Sequence, residues 1–206
     1  MTVTKHVYIV DDDSMVCTST AYFLTSSGYA AHTWCGGQAF LDDMPGLSPG
    51  CVLLDVRMPE IDGLQVIARM HGRLAQLPVI VMTGHGDVDS ARQAFRAQAV
   101  DFVEKPIDHD RLMRAIEEAF ARQRSQRDNR DRNAESAGLL AALTPREAEV
   151  MEQVVAGQHN REIARKLGIS PRTVEVHKAR LLAKLRVSSI ADLVRLSMDV
   201  RKAGRG

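Results

Sequence analysis

The sequence predicts two parts with different folds: an α/β domain built on a five-stranded parallel sheet, followed by a small all-α domain. Apolar runs alternate with helix-like segments through the first 120 residues, and all nine aromatic residues lie at or before Phe120. Residues 1–120 hold 9 Lys and Arg against 16 Asp and Glu, whereas residues 121–206 hold 18 against 10. The second part is therefore basic and suited to a polyanionic partner.

Five short apolar runs have the composition of buried parallel strands. In chain order they are HVYIV (6–10), AAHTW (30–34), CVLL (51–54), PVIVM (78–82) and AVDFV (99–103). Apolar residues at helical spacing lie between them, at 15–24, 64–70 and 91–97, and Leu112 and Ile116 indicate a further helix after the fifth strand. This alternation predicts a doubly wound sheet with helices on both faces.

A charged segment follows the α/β part. Residues 121–136, ARQRSQRDNRDRNAES, contain no large apolar residue. We predict a charged linker at 122–138 or a solvated extension of the preceding helix, and no coiled coil, because apolar heptad positions are missing. The predicted domains are thus residues 1–121 and 139–206.

Capping residues indicate four short helices in the last segment. Thr144, followed by Pro145 and Glu147, predicts a helix start with a capping box. Gly168 should end the second helix and Ser170 should cap the third. The tight turn between those two helices predicts a helix-turn-helix, and SSIADLVRLSMDV supplies the fourth helix.

The sequence also restricts the compartment. No apolar run approaches the roughly 20 residues that span a bilayer, and the first ten residues lack the pattern of a secretory signal. Cys17, Cys35 and Cys51 are odd in number and widely spaced, which fits neither a disulfide framework nor a C-x-x-C zinc site. We expect a cytoplasmic protein with no membrane partner.

Charged and polar residues follow the predicted strands, at positions that meet at the carboxyl edge of a parallel sheet. They are Asp11, Asp12 and Asp13 after the first strand, Asp55 after the third, Thr83 after the fourth and Lys105 after the fifth. Clustered carboxylates repel one another unless a cation joins them, and hard oxygen ligands suit Mg²⁺. For phosphoryl transfer, Asp55 would be a carboxylate nucleophile, Lys105 and Mg²⁺ would neutralise charge, and Thr83 would donate a hydrogen bond.

These residues resemble a known family. D-D near the N-terminus, D-V-R-M-P-E-I-D-G, M-T-G-H-G-D and E-K-P are similar to the flavodoxin-like receiver domain of bacterial two-component response regulators, over about residues 5–121. The resemblance implies that a sensor histidine kinase phosphorylates Asp55. It also implies Mg²⁺ ligands (Asp11, Asp12, Asp55 and the Arg57 carbonyl), a switch pair (Thr83 and Phe102) and a phosphoryl contact (Lys105). Asp13 lies one place past the metal-binding pair, so we expect it to have a secondary, water-mediated role there; the alternative is that it caps the helix that begins at Ser14.

The C-terminal motifs L-T-P-R-E, G-x-x-N-R-E-I-A, L-G-I-S-x-R-T-V-E-V-H and K-L resemble the LuxR-type helix-turn-helix of the FixJ/NarL group, over about residues 139–202. Gln158 and His159 replace the more usual Leu-Ser, which bears on how the second helix is capped. In the third helix, the recognition helix, Val174, Leu181 and Leu185 should face the core.

The opposite face of that helix is the expected DNA surface. Its predicted DNA-binding residues are Thr173, Glu175, Val176, Lys178, Ala179, Arg180 and Lys184. Val176 can touch a thymine methyl group and Glu175 can accept from cytosine. The expected phosphate contacts are Lys178, Arg180, Lys184 and Thr173. Duplex DNA is favoured over single strands because the segment has no aromatic residue for stacking. The alternative is a helical bundle that docks onto another protein.

Together these features favour a phosphorylation-gated transcription regulator rather than an enzyme. Phosphorylation would produce a homodimer through residues 91–97, the fifth strand and the last receiver helix, and relieve any masking of the DNA-binding domain. The residues that select the kinase are expected on the first helix, around Met15, Val16, Ser19 and Phe23; the alternative is that these residues only pack. Two rivals remain: a haloacid-dehalogenase-type phosphatase, whose nucleophile belongs to a D-x-D-x-T pattern after the first strand, and a regulator whose receiver serves as a phosphate sink.

Overall fold

The computed structural model describes residues 4–84 and 96–203, with the backbone alone for 199–203. The chain divides into two compact units, Met1–Arg127 and Asp128–Gly206. The boundary between the units falls inside the segment predicted as a charged linker.

The first unit contains a five-stranded parallel sheet in the order β2-β1-β3-β4-β5. Its strands are β1 (His6–Val10), β2 (Ala30–Trp34), β3 (Gly50–Asp55), β4 (Val79–Thr83) and β5 (Asp101–Glu104). The predicted strands are confirmed to within one or two residues at either end. Because β3 extends to Asp55, this carboxylate belongs to a fully buried strand, not to the loop that follows.

Helices cover both faces of the sheet, as predicted. They are α1 (Ser14–Ser26), α2 (Gly37–Asp43), α3 (Gly63–Arg69) and α4 (His109–Ala141), with a short 3-10 helix at Met44–Gly46. On one face, Leu24 of α1 and Ile116 of α4 pack against strand residues such as Leu53. On the other, Phe40 of α2 and Ile67 of α3 belong to a second core. Most of the helix predicted at 91–97 lies outside the described residues.

The charged segment after Phe120 is helical and continues α4 as far as Ala141. Of the two predicted alternatives, the structure has the helix extension. Residues 121–137 contain neither Pro nor Gly, and they hold five Arg, three Ala and two Gln, all residues with good helix propensity. The Gln123 amide fixes the helix to the amino-terminal end of the sheet. It donates to the carbonyl of Gly50, the first residue of β3, at 3.2 Å and to the Gln76 carbonyl.

The second unit is helical. Its elements after α4 are α5 (Pro145–Val155), α6 (Asn160–Leu167), α7 (Pro171–Lys184) and α8 (Ile190–Ala203). The capping box of Thr144 and Glu147 is present, Gly168 ends α6 with a φ of 66°, and Ser170 caps α7. At the start of α6, Glu162 accepts a hydrogen bond from the backbone N–H of His159 at 3.0 Å, so the glutamate half of that capping box is kept.

The phase predicted for the recognition helix is confirmed. Val174 and Leu181 of α7, and Leu185 directly after it, are buried and pack with Val150 of α5 and Ile163 of α6. Since these residues fix one face of α7 against the core, its opposite face is turned to solvent. No helix in the described part of the chain is long and apolar enough to cross a membrane.

Candidate functional site: an acidic pocket and a basic recognition helix

Three aspartates meet at the carboxyl edge of the sheet. Asp11 directly follows β1 and is fully buried, while Asp55 ends the neighbouring strand β3 and is 5% exposed. One carboxylate oxygen from each of Asp11, Asp12 and Asp55 lies within 4.8 Å of the others. The expectation that these three side chains converge is therefore met in the structure, because β1 and β3 are paired strands.

Lys105 offsets part of the negative charge of this pocket. Its Nζ lies 2.6 Å from Asp11 Oδ2 and 2.9 Å from Asp55 Oδ1. The backbone N–H of Lys105 donates to the Thr83 carbonyl at 2.7 Å, which ties the ends of β4 and β5 together. Because Lys105 directly follows β5, the strand places its ammonium group between the two buried carboxylates of Asp11 and Asp55.

Burial and these contacts shift two pKa values. Burial raises the pKa of Asp55, and the hydrogen bond and charge of Lys105 only partly oppose this. Burial disfavours the charged form of Lys105 as well, but the contacts with Asp11 and Asp55 outweigh it and raise the pKa of Lys105. Lys105 therefore remains cationic at neutral pH, and ionised Asp55 is a stronger base than a solvated carboxylate.

Asp13 connects α1 to the pocket. Its carboxylate accepts from the backbone N–H of Met15 at 2.8 Å, so the alternative expectation of a helix cap is confirmed. Its own backbone N–H donates to Asp11 Oδ1 at 3.0 Å. The buried Cys17 thiol donates to the Asp11 carbonyl oxygen at 3.4 Å. Both the side chain and the backbone of Asp11 are therefore held in place.

The expected switch residues lie on neighbouring strands. Thr83 is buried, and its hydroxyl donates to the Gly84 carbonyl at 3.1 Å. Phe102 on β5 is half-buried, and its carbonyl accepts from Arg111 at 3.3 Å. Arg111 also forms an ion pair of 2.7 Å with Asp101. His85, the histidine of the M-T-G-H-G-D motif, lies outside the described residues.

Gly63 was not singled out from the sequence, although it closes the D-V-R-M-P-E-I-D-G motif. It is the first residue of α3, and its backbone N–H donates to the Val56 carbonyl at 2.9 Å. A Cβ atom at this position would clash with the backbone oxygen of Asp55 and lie 3.1 Å from Val56 Cα. The loop can therefore approach the end of β3 this closely only with glycine here.

The donor set fits a hard divalent cation. Asp11, Asp12 and Asp55 supply only carboxylate oxygens, and Asp12 is exposed, so water can complete the coordination. The Arg57 backbone N–H donates to Asp55 Oδ2 at 3.1 Å, which orients that carboxylate. These three carboxylates would hold Mg²⁺, with the Arg57 carbonyl as the further ligand that the family resemblance implies.

The second candidate site is the solvent face of α7. Glu175, Val176, Ala179 and Arg180 are exposed, and the Val176 side chain is 44% exposed. These residues therefore form the solvent-exposed face of α7 that the sequence predicts.

Three of the expected phosphate-binding residues also have partners within the unit. Lys184 Nζ lies 2.7 Å from Glu147 Oε2, which also caps α5. Lys178 Nζ donates to Asn160 Oδ1 at 3.1 Å. The backbone N–H of Thr173 donates to the Ser170 hydroxyl at 3.1 Å. The contacts of Lys184 and Lys178 join α7 to α5 and α6, a role that residue spacing along one helix does not indicate.

Glu147 should make the stability of the second unit pH-dependent. The hydrogen bond from Lys184, followed by that from Thr144, lowers the pKa of Glu147 to about 2. Because this value lies below that of the unfolded chain, ionised Glu147 stabilises the fold above its ordinary pKa, and the contribution is lost as pH falls towards 2. We expect Glu147→Gln to remove this acid dependence, measured by urea unfolding at a series of pH values.

The exposed Glu149 on the same helix provides the control, since Glu149→Gln removes an equal charge without touching the capping box. An acid profile of Glu147→Gln that superimposes on that of the wild type would contradict the assignment.

Both candidate sites lie in regions that match known protein families. Residues 7–117 match the family model described as response regulator receiver domain. Residues 141–197 match the model described as bacterial regulatory proteins, luxR family. The first match contains the whole acidic pocket and the second contains all of α5 to α7.

Relatives share both parts in the same order. The transcriptional regulatory protein FixJ of Bradyrhizobium diazoefficiens is 43% identical over 198 residues, covering 96% of this chain and 97% of FixJ. The response regulator protein TodT of Pseudomonas putida is 38% identical over 191 residues, covering 93% and 84%. Among solved structures, the response regulator StyR has a TM-score of 0.77 at 32% identity, covering 95% of this chain and 99% of StyR. Full-length FixJ from B. japonicum has a TM-score of 0.60 at 42% identity, covering 98% and 99%.

A doubly wound sheet with a lysine-bridged acidic pocket, followed by a helix-turn-helix unit, defines a response regulator with its own output domain. The chain belongs to the FixJ-like transcriptional response regulators, which carry a receiver domain followed by a luxR-family DNA-binding domain.

Proposed function

We propose that this chain is a transcription regulator whose binding to duplex DNA is gated by phosphorylation of Asp55 by a sensor histidine kinase. One observation carries the proposal: the Asp55 carboxylate ends the central strand β3, pairs with Lys105 at 2.9 Å and stands beside two further carboxylates. A carboxylate nucleophile, a cationic group and an oxygen-rich metal site are the parts that aspartyl phosphorylation needs.

The transfer step uses the residues of the pocket directly. An Asp55 carboxylate oxygen forms a bond to phosphorus while the bond from phosphorus to the kinase imidazole nitrogen breaks, and the imidazole keeps the electron pair. The Lys105 ammonium, already 2.9 Å from Asp55, neutralises charge on the transferring oxygens. Bound Mg²⁺ would supply further positive charge at the same oxygens.

The response to phosphorylation starts from Thr83. Its hydroxyl, which donates to the Gly84 carbonyl in the structure, would turn to donate to a phosphoryl oxygen. Phe102 on the adjacent strand then changes position, and the receiver dimerises through β5 and α4. Part of the proposed dimer surface, at 91–95, lies outside the described residues.

The exposed face of α1 is the proposed kinase-docking surface. Met15 and Tyr22 are each 78% exposed. They line an open groove of about 740 Å³ together with Ser19 and Phe23, whose ring stacks on His109 at 3.8 Å between centroids. Met15, Ser19 and Phe23 were predicted, whereas Tyr22 was not. Exchanging these residues and finding the kinase preference unchanged would remove this surface from the proposal.

A binding experiment tests the proposed gating. Anisotropy of labelled duplex DNA, titrated with the chain before and after treatment with a small phosphodonor such as acetyl phosphate, should show tighter binding after treatment. Equal affinity in both states would favour the alternative that the receiver is a phosphate sink, which does not control DNA binding. A phosphatase would instead release phosphate continuously from the donor, but its nucleophile belongs after the first strand, whereas Asp55 ends the third.

Arg180 on the exposed face of α7 should bind a DNA phosphate. Arg180→Ala should then weaken binding to all duplex sequences similarly and lower the slope of log K against log salt by about 1. The measurement is a salt titration of binding to a duplex of arbitrary sequence. Arg195→Ala on α8 is the matched control, because Arg195 is also exposed but pairs with Asp192. An unchanged slope for Arg180→Ala would place that residue outside the DNA contact.

A further inference from the structure

Two histidines are diagonal neighbours on adjacent strands, away from the acidic pocket: His32 lies opposite Tyr8, two residues along β1 from His6. His6 begins β1 and His32 lies on the edge strand β2. His6 Nδ1 and His32 Nε2 are 3.3 Å apart. The pocket residue Asp11 follows the far end of β1, roughly 16 Å from His6 at the usual rise of a strand. The pair is thus independent of the phosphorylation chemistry.

Packing holds both imidazole rings in this arrangement. The ring of Tyr8, which is 2% exposed, lies 6.1 Å from His6 and 5.6 Å from His32 between centroids. The Tyr8 hydroxyl donates to the Ser48 carbonyl at 2.8 Å, which fixes the tyrosine in turn. His32 is exposed on a strand with one free edge, so a ligand can reach the pair from solvent. The two nitrogens are therefore preorganised and accessible.

We propose that His6 and His32 form a chelating site for a divalent transition metal of the Zn²⁺, Cu²⁺ or Ni²⁺ class. Two nitrogen ligands at about 2.0–2.1 Å from a tetrahedral ion stand about 3.3 Å apart, which matches this pair. Imidazole nitrogen favours these metals, whereas Mg²⁺ favours oxygen, so the two sites select different ions.

Water completes the coordination. Within residues 4–84 and 96–203, the only cluster of three or more potential ligands is the acidic pocket, so no third histidine, cysteine or carboxylate joins the histidines. Such a site binds more weakly than a four-ligand structural zinc site. Because the unfolded chain does not hold the two rings together, metal binding would stabilise the β1–β2 pair.

Zinc titration of the full chain, without a polyhistidine tag and in excess Mg²⁺, tests the site. A Cys35→Ser background removes the one exposed thiol among the described cysteines. In isothermal calorimetry, His6→Ala and His32→Ala should each weaken Zn²⁺ binding at least tenfold, and Zn²⁺ should raise the Tm of the parent but not of either variant. His71→Ala, which alters another exposed histidine of the same unit, should change neither result.

Copper provides a second readout. The electron paramagnetic resonance spectrum of bound Cu²⁺ should show coupling to two imidazole nitrogens in the parent and to one in His32→Ala. Zinc affinity that is the same in the parent and in both variants would overturn the proposal and leave the pair as a hydrogen-bonded contact. That result would leave the proposed gating by Asp55 untouched, since the acidic pocket is unchanged in every variant.

Discussion

Asp55→Asn is expected to abolish phosphoryl incorporation completely. The substitution preserves size but replaces the carboxylate nucleophile with a neutral amide oxygen, which cannot form a stable acyl phosphate. Lys105 keeps its contact with Asp11 at 2.6 Å, so the surroundings of the pocket are retained. Intact-mass spectrometry after incubation with acetyl phosphate and Mg²⁺ should show one added phosphoryl group in the wild type and none in the variant.

The loss should not come from unfolding. Burial raises the pKa of Asp55, so its charged form is less favourable in the folded chain than in the unfolded one at neutral pH. Removing that charge should leave stability unchanged or increase it, a common finding where function requires an unfavourable group. Asp62→Asn provides the control, because Asp62 caps α3 and asparagine can also cap. Full phosphorylation of Asp55→Asn would assign the phosphoacceptor to another residue.

The sequence predicted the sheet and the pocket together because both depend on strand ends. Each strand is a short apolar run, and a parallel sheet brings the residues after those runs to one edge. Asp11, Asp55 and Lys105 could therefore be placed near one another without coordinates, and the structure joins them by ion pairs of 2.6 and 2.9 Å. Alternation of strands and helices is a pattern that one-dimensional information carries well.

The rest could not be predicted because it depends on side chains that meet across elements. The Lys184–Glu147 ion pair joins residues 37 positions apart, and nothing in the local pattern of either helix indicates it. Continuation of α4 was left open because periodicity disappears when a helix is solvated on all sides, although propensity still favours it. The contact of Tyr8 with His32 on the neighbouring strand likewise requires strand register.

Gly63→Ala is expected to damage both stability and phosphorylation. The added Cβ would clash with the backbone oxygen of Asp55, and backbone cannot rotate aside as a flexible side chain can. Relief requires moving either the start of α3 or the end of β3, and either shift misplaces the Asp55 carboxylate relative to Lys105. Overpacking against such a rigid neighbour costs about 1–3 kcal/mol, and urea unfolding of the first unit should report a loss in that range.

Gly63→Ala should also slow phosphorylation, separately from its effect on stability. At a temperature where Gly63→Ala remains folded, phosphorylation by acetyl phosphate should be slowed at least tenfold, because the reacting groups are held by positioning and a small displacement is costly. Gly46→Ala is the matched control, since a Cβ at Gly46 meets no atom within 4 Å. If Gly63→Ala were phosphorylated at the wild-type rate, the close approach to Asp55 would be a folding requirement alone, and the rigidity of the β3–α3 loop would play no part in the transfer.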